Sequence, residues 1–291
     1  MPWVNYHTHC LYCDGKAEPE AYLLKAIEKG FPAIGYSSHA PLPFTTSWNL
    51  KQERLQEYLA EINRLREKYR STIQVYTGLE IDYIGGLWGF HNPFFRDLKL
   101  DYTIGSVHFM DAFSAGIPWT IDGSSDEFFK GFESAYNNDT RKLATRYYEL
   151  VREMIIKDHP TIIGHLDKIK MHNRQRTYLD EKEDWYRNCV EDTLDLIAEK
   201  GCMVEINTRG IYRYGQPDLY PGTWILERIY RKKIPVMINA DAHLPDEIDS
   251  GYAYAAGILK TIGFGSLRIL WKNRWIDCAF TESGVEPGIQ D

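Results

Sequence analysis

Short apolar, β-branched runs alternate with longer helical stretches along most of the chain. Most of the runs lack polar alternation, which is typical of parallel strands that are buried on both faces. Seven strands are predicted, at residues 3–6, 33–37, 74–78, 102–105, 161–164, 203–207 and 236–239. Helices are predicted between and after them, at residues 18–29, 51–70, 139–157, 182–200, 223–231 and 247–261. This alternation favours an α/β fold with a closed or nearly closed seven-stranded barrel, and an open doubly wound sheet is the alternative.

Two segments do not fit the alternation, and both are rich in aromatic residues. We predict long loops at residues 84–97 and 110–138, which follow strands and therefore lie at the end of the barrel where active sites form. No repeat or linker-like composition divides the 291 residues, 44% of which are hydrophobic. The chain, residues 1–291, is therefore predicted to be a single domain.

Composition narrows the classes of function. The formal net charge is −7, and no basic stripe suggests that nucleic acid is required as a partner. No apolar run is long enough for a membrane span and no segment resembles a secretion signal, so we expect a cytoplasmic protein without a membrane partner. Five cysteines do not suggest a disulfide framework, and Cys10 and Cys13 are expected to be reduced thiols. Nothing in the sequence indicates an oligomeric state.

Histidines and carboxylates follow six of the seven predicted strands. The C-terminal ends of barrel strands converge on one mouth, so these side chains are expected to meet there. Imidazole and carboxylate together suit zinc, manganese or iron, and a set of this size suits two to three adjacent ions. The predicted metal ligands are His7, His9, Asp14, His39, Glu80, His108, His165, Asp241 and His243.

Three further histidines are interpreted as ordinary structural or solvated residues. His91 and His172 lie outside the strand-end register. His159 precedes Pro160 at the end of a predicted helix, where a cation interacts favourably with the helix dipole. None of the three is predicted to bind metal.

The ordered pattern H-x-H…D…H…E…H…H…D-x-H resembles that of the PHP (polymerase and histidinol phosphatase) superfamily. The resemblance extends from Tyr6 to His243. Several stretches resemble the histidinol-phosphatase branch in particular, among them His-Thr-His at 7–9, Gly-Ser-Val-His-Phe at 105–109 and Asn-Ala-Asp-Ala-His at 239–243.

The resemblance implies a distorted (β/α)7 barrel with a trinuclear metal site at the C-terminal ends of the strands. The first ion would be held by His7, His9, Glu80 and Asp241. The second would be held by Glu80, His108 and His165, with Glu80 as the bridge. The third would be held by Asp14, His39 and His243. The predicted catalytic residues are Glu80, Asp241 and His243.

The implied activity is that of a histidinol-phosphatase, a hydrolase of phosphoric monoesters. It would convert L-histidinol phosphate and water into L-histidinol and phosphate in histidine biosynthesis, through attack by a hydroxide that bridges two ions. The alternatives are a PHP phosphoesterase for a nucleotide or sugar phosphate and, in another class, a non-catalytic metal-binding scaffold. The expected partner is a small-molecule phosphate monoester.

The phosphate-binding residues depart from the family pattern. Lys168 and Lys170 stand where the family often has arginine, and a lysine binds phosphate as a point charge rather than as a fork. Arg209 and Arg213 are candidates for the missing guanidinium, and ordinary loop arginines are the other interpretation. We also predict that the two long segments form the substrate pocket, with Trp88, Phe90, Asp111, Trp119, Asp122 and Asp126 as its candidate residues.

Overall fold

The structure is a computed structural model, and it describes residues 2–112, 118–215 and 219–286. Its strands are β1 Val4–Asn5, β2 Ala33–Tyr36, β3 Gln74–Asp82, β4 Tyr102–Ser106, β5 Phe109–Ala112, β6 Pro118–Thr120, β7 Ile162–Ile163, β8 Met203–Asn207, β9 Val236–Asn239, β10 Ser266–Trp271, β11 Arg274–Thr281 and β12 Gly284–Glu286. Its α-helices are α1 Pro19–Glu28, α2 Leu55–Lys68, α3 Ser125–Tyr136, α4 Thr140–Asp158, α5 Asp184–Lys200, α6 Arg209–Tyr214, α7 Thr223–Arg231 and α8 Tyr252–Ile262.

Seven parallel strands form one sheet in the order β1-β2-β3-β4-β7-β8-β9. The two outer strands return to each other through a parallel bridge between Thr8 and Ala242. The amide of His9 donates to the carbonyl of Ala242 at 2.9 Å, and the amide of Ala242 donates to the carbonyl of His7 at 3.1 Å. The sheet is therefore a nearly closed barrel. The predicted (β/α)7 architecture is confirmed, and the open doubly wound alternative is wrong.

All six predicted helices are present, with small shifts at their ends. The last one begins at Tyr252 instead of residue 247, because Gly251 takes a left-handed conformation with φ of 80° just before it. Within the described residues, no helix has both the length and the apolar character needed to cross a membrane.

The segment 110–138 is not the long loop that we predicted, because it contains the helix α3. The side chain of Ser124 accepts a hydrogen bond from the amide of Glu127, and the carboxylate of Glu127 accepts one from the amide of Ser124. This capping box begins a helix that buries Phe128 and Phe132. The Ser-x-x-Glu spacing was the sequence signal that could have predicted it.

The strands after residue 265 were also missed. Strands β10, β11 and β12 form an antiparallel sheet, and the turn between the first two has positive φ at both Lys272 and Asn273. The amide of Lys272 donates to Gln74, the first residue of β3, and Trp275 packs edge-on against Tyr6. This sheet therefore lies against the N-terminal ends of the barrel strands, opposite the predicted site.

Tyr102 fills the barrel interior below the strand ends. Its hydroxyl donates to the carbonyls of Tyr6 and Tyr36, at 2.5 and 3.1 Å. A Cβ atom at Gly35 or Gly78 would lie 2.4 or 2.6 Å from this side chain, so only glycine fits at these two positions. The buried tyrosine thus gives the polar cluster above it a packed floor.

Candidate metal centre

The nine predicted metal ligands lie close together at the C-terminal end of the barrel. His7 and His9 follow β1 on extended backbone, and their ring centroids are 5.0 Å apart. Strand β3 runs four residues beyond its predicted end, so that Glu80 and Asp82 both lie within it and face the same side. All the predicted ligands except Asp14 and His243 are buried, with at most 8% of the residue exposed.

Glu80 lies at the centre of the cluster. Its Oε2 atom lies 3.2 Å from Nε2 of His7 and 2.9 Å from Nδ1 of His39. Its Oε1 atom lies 3.0 Å from Nε2 of His165 and accepts a hydrogen bond from Ser106 at 2.8 Å. The two oxygens therefore face different imidazoles, which is the arrangement that a bridging carboxylate requires.

Among the residues that the structure describes, three groups of side chains have ligand atoms that all lie within 4.8 Å of one another. The groups are His9, Asp14, His39 and His243; His7, His9 and Asp241; and His39, Glu80 and His108. They overlap with the three predicted ligand sets, although His9 and His39 each belong to two groups. His165 adjoins the third group, because its Nε2 atom is 3.1 Å from that of His108.

Several buried polar atoms in this cluster form no hydrogen bond of good geometry, although some of them lie close to one another. An unsatisfied buried nitrogen or oxygen costs about 1–3 kcal/mol, so a group of them facing one another is unfavourable unless a cation binds there. The atoms are Nε2 of His7, Nε2 of His9, Oδ1 of Asp14, Nδ1 of His39 and Oε2 of Glu80. The donor set fits divalent metal ions bound by nitrogen and oxygen.

The pKa values of two members of the cluster, Glu80 and His9, are shifted in the directions that suit cation binding. Burial raises the pKa of the Glu80 carboxyl, but the neighbouring His39 and His7 outweigh this effect and hold that pKa well below its usual range. Burial and the neighbouring His243 and His39 lower the pKa of His9 well below its usual value. Glu80 is thus charged and His9 neutral near pH 7, and these are the forms that bind metal.

Two carboxylates that were not predicted as site residues lie behind the histidines that are the predicted ligands. Glu205 lies 2.6 Å from Nδ1 of His7 and accepts the amide of His165 at 3.0 Å. Asp82 lies 2.7 Å from Nδ1 of His108. The sequence signals were present: Glu205 lies in the one strand without an assigned ligand, and Asp82 is two residues from Glu80. Such partners fix the tautomer and orientation of a metal-binding imidazole.

A cavity of about 230 Å³ opens over the cluster. Its wall includes Lys168 and Arg209, two of the four predicted phosphate-binding residues. The other two lie elsewhere. The ammonium of Lys170 pairs with Asp167 at 2.7 Å, and Arg213 is exposed in the last turn of α6.

The predicted substrate walls are only partly right. Asp122 lines the cavity with Thr120 and Gly123, but no residue of segment 84–97 does. That segment is held against the end of α4, where Asp158 accepts the amides of Phe90 and His91 at 2.8 and 3.0 Å.

The other pocket candidates lie away from the cavity. Trp88 donates to the carbonyl of Pro41, Trp119 is buried against α3 at Gly131, and Asp126 is exposed. The side chain of Asp111 lies outside the described part of the structure.

Sequence reasoning missed two aromatic residues that line the cavity, Trp48 and Tyr214. Trp48 stacks on Phe109 with ring centroids 5.6 Å apart and contacts His39 edge-on at 4.7 Å. Its segment is anchored by Asn49, whose amide group donates to the carbonyl of Ala40 at 2.7 Å. Only the folded loop brings Trp48 to the ligands.

The three histidines that were not predicted as ligands lie outside the cluster. His91 pairs with Asp158, and His172 packs its ring against Phe128 with centroids 4.7 Å apart. His159 ends α4 in a left-handed conformation.

Comparison with known proteins identifies relatives over almost the whole chain. The histidinol-phosphatase of Bacillus subtilis is 29% identical over 265 residues, which cover 86% of this chain and 96% of that protein. A protein of Deinococcus radiodurans named "Probable histidinol-phosphatase" is 28% identical over 260 residues, covering 88% and 92% of the two chains.

A solved structure shares the fold. The histidinol phosphate phosphatase of Lactococcus lactis, crystallised with zinc, L-histidinol and phosphate, superposes with a TM-score of 0.69 at 19% identity and covers 98% of both chains. The family model of the PHP domain matches residues 5–209, a range that holds seven of the nine predicted ligands. Both the fold and the match over more than half of the chain lead to one conclusion: the chain belongs to the PHP domain family.

Proposed function

We propose that this protein is a metal-dependent histidinol-phosphatase that hydrolyses L-histidinol phosphate to L-histidinol and phosphate. The observation that carries the proposal is the cluster of buried ligand atoms without hydrogen bonds at the floor of a cavity, which Asp14, His39 and Glu80 line together with Lys168, Arg209 and Asp122. Cationic, anionic and metal-binding groups thus face the same small volume. The names of the relatives support the same assignment.

We propose two to three divalent ions per chain, with zinc, manganese or iron as the candidates. The first is assigned to His7, His9, Glu80 and Asp241, the second to Glu80, His108 and His165, and the third to Asp14, His39 and His243. When bound, such ions acidify water and neutralise the charge of a phosphate ester. The remaining chemistry belongs to the side chains around the cavity.

Lys168 and Arg209 are proposed to bind the phosphate. Burial lowers the pKa of Lys168, but Asp122 outweighs this effect and the pKa lies above its usual value, so the ammonium stays charged. The side chain of Arg209 is fixed by a hydrogen bond of 2.7 Å from Nη1 to the carbonyl of Asp241. A guanidinium has five N–H donors, and we assign the phosphate oxygens to those that do not bond to Asp241. Lys170 and Arg213 have no part in this proposal.

Asp122 and Trp48 are proposed to recognise the organic end of the substrate, which carries an ammonium and an imidazole. Burial raises the pKa of Asp122, but His108 and Lys168 outweigh this effect and lower it below its usual value, so the carboxylate is charged at neutral pH. The ring of Trp48 offers a flat face or edge near His39. A carboxylate and an aromatic ring together suit a cationic heterocycle.

Measuring kcat/KM for a panel of phosphate monoesters with manganese or zinc tests the proposal. We expect histidinol phosphate to be preferred over nucleotide phosphates, sugar phosphates and p-nitrophenyl phosphate. A preference for a nucleotide or sugar phosphate would assign the chain to another PHP phosphoesterase. No phosphate release from any ester, by protein that has bound its metals, would make it a metal-binding scaffold. We also propose that the substrate is a small molecule and that the protein is cytoplasmic.

A further inference from the structure

The metal-binding candidate Asp241 has an unusual backbone. Its φ is 54°, in the left-handed region that residues other than glycine rarely adopt, and the residue is only 4% exposed. A non-glycine residue in this region is strained and persists only where its surroundings impose the conformation. The surroundings of its carbonyl oxygen show what imposes it.

Three donors converge on the carbonyl oxygen of Asp241. Nη1 of Arg209 donates to it at 2.7 Å, and Nδ1 of His243 lies 3.0 Å away. The hydroxyl of Tyr212 lies 3.2 Å from it and 2.7 Å from the carbonyl of Ala240, so its single hydrogen is shared between two consecutive peptide groups. The peptide unit after Asp241 is therefore held from several directions.

Two of these donors come from the short helix α6. Arg209 and Tyr212 are three residues apart and so lie on the same face of that helix. The amide of Arg209 donates to the side chain of Asn207 at 2.9 Å, which fixes the start of α6 to the end of β8. Nη1 of Arg209 also lies 3.4 Å from the hydroxyl of Tyr212, joining the two side chains.

The carboxylate of Asp241 is oriented at the same time. Its Oδ2 atom accepts a hydrogen bond from the side-chain amide of Asn207 at 3.2 Å. Its Oδ1 atom faces Nε2 of His9 at 3.2 Å and Nε2 of His7 at 3.8 Å. Because the backbone torsion sets the direction of the Cα–Cβ bond, the conformation of Asp241 decides which oxygen reaches the metal cluster.

We infer that Tyr212, together with Arg209, is a positioning residue that holds Asp241 in its left-handed conformation and so aims Oδ1 at the metal ions, an inference that rests on the proposed metal site. Neither side chain needs to touch a metal for this role. The contact of His243 with the same carbonyl orients its ring, and Nε2 of that ring faces Asp14 at 3.2 Å.

The test is the affinity of the metal-stripped, full-length protein for Mn²⁺ and Zn²⁺, measured by competition with a chromophoric chelator. Tyr212→Phe removes one hydroxyl and keeps the ring. We expect its weakest site to bind metal about tenfold less tightly, the lower end of the range for residues that orient ligands. We also expect activity to recover when excess metal is added, which a general loss of structure would not allow.

Tyr36→Phe is the matched control. It removes a fully buried hydroxyl that donates to the carbonyl of Pro19 at 2.6 Å and contacts no ligand. Metal affinity should be unchanged in this variant, and both variants should unfold at similar temperatures when metal-free. Should Tyr212→Phe not fold, Arg209→Lys carries the test, because it keeps the charge but shortens the reach to Asp241. Weaker metal binding is expected there too.

If Tyr212→Phe folds and binds metal as tightly as the parent, the inference is wrong and the proposed function remains intact. The same holds for Arg209→Lys where that variant is used for the test. A parent protein that binds no metal would instead overturn the proposed function. The two failures are therefore distinguishable.

Discussion

The carboxylate of Glu205 lies 2.6 Å from Nδ1 of His7, while Nε2 of the same ring faces Glu80 at 3.2 Å. One nitrogen of the imidazole is thus held by a carboxylate and the other faces the proposed metal site. Asp82 holds His108 in the same way at 2.7 Å. A carboxylate behind the ring keeps the proton on the nitrogen that faces the carboxylate. The other nitrogen, on the side of the proposed metal site, becomes a better ligand.

Glu205→Gln is expected to weaken metal binding by about 10–100-fold, because the amide keeps the size of the side chain but loses the negative charge behind His7. The measurement is a metal titration of the stripped protein, followed by kcat at saturating metal. Glu199→Gln, an exposed change near the end of α5, is the control and should match the parent. If the two variants bind metal equally well, Glu205 has no such role.

Glu80→Gln is expected to abolish kcat, because a neutral amide cannot hold two cations together. The comparison is His172→Ala, which should keep the parental kcat/KM. Its ring is buried against Phe128, so the cavity left behind should cost about 0.5–3 kcal/mol of folding free energy and lower Tm. Similar losses of kcat in both variants would contradict the proposed ligand set.

Purified protein is expected to contain two to three transition-metal ions per chain by elemental analysis. A chelator should abolish activity, and manganese or zinc should restore it. The same ions should raise Tm, since a free concentration of 100 times Kd adds about 2.7 kcal/mol to the stability. An active enzyme that holds only traces of metal would disprove the mechanism.

Lys168→Gln and Asp122→Asn are expected to separate the two ends of the substrate. The lysine change should raise KM for both histidinol phosphate and p-nitrophenyl phosphate, because both esters carry a phosphate. The aspartate change should raise KM only for histidinol phosphate, because only that ester carries a cation. Arg213→Gln and Asp126→Asn, both at exposed positions, are the matched controls.

If Asp122→Asn changes KM equally for the two esters, Asp122 does not bind the organic end of histidinol phosphate. Single substitutions test substrate recognition more specifically than a deletion of residues 110–138 would. The deletion would also remove the buried Trp119, Phe128 and Phe132 and so disturb the fold.

The barrel and the meeting of histidines and carboxylates at its mouth could be predicted because both depend on local order along the chain. Buried parallel strands give continuous apolar runs, and a polar residue just after such a run marks the mouth of the barrel. Even β1 and β7, with two residues each, were recognisable from the apolar residues around them. His7, His39 and His108 followed from this rule.

The rest depends on contacts between distant segments. The strand that contains Glu205 was predicted, but only the fold brings this carboxylate to His7, 198 positions away. Trp48 lines the cavity because its loop folds back over His39. Lys168 and Lys170 differ by two positions, yet one lines the cavity and the other pairs with Asp167. Spacing along the chain does not distinguish such cases.

Closure of the barrel has a consequence for the order of folding. The amide of Tyr6 donates to the side chain of Asn239, 233 positions away, and its hydroxyl bonds to Leu270, 264 positions away. A contact between such distant positions forms slowly, since the chain between them must be ordered or looped first. During synthesis, His7 and His9 emerge before Asp241 and His243, so the ligand set is complete only after β9 has been made. Metal binding by the complete ligand set would therefore require the whole barrel, rather than any part of it, to be folded.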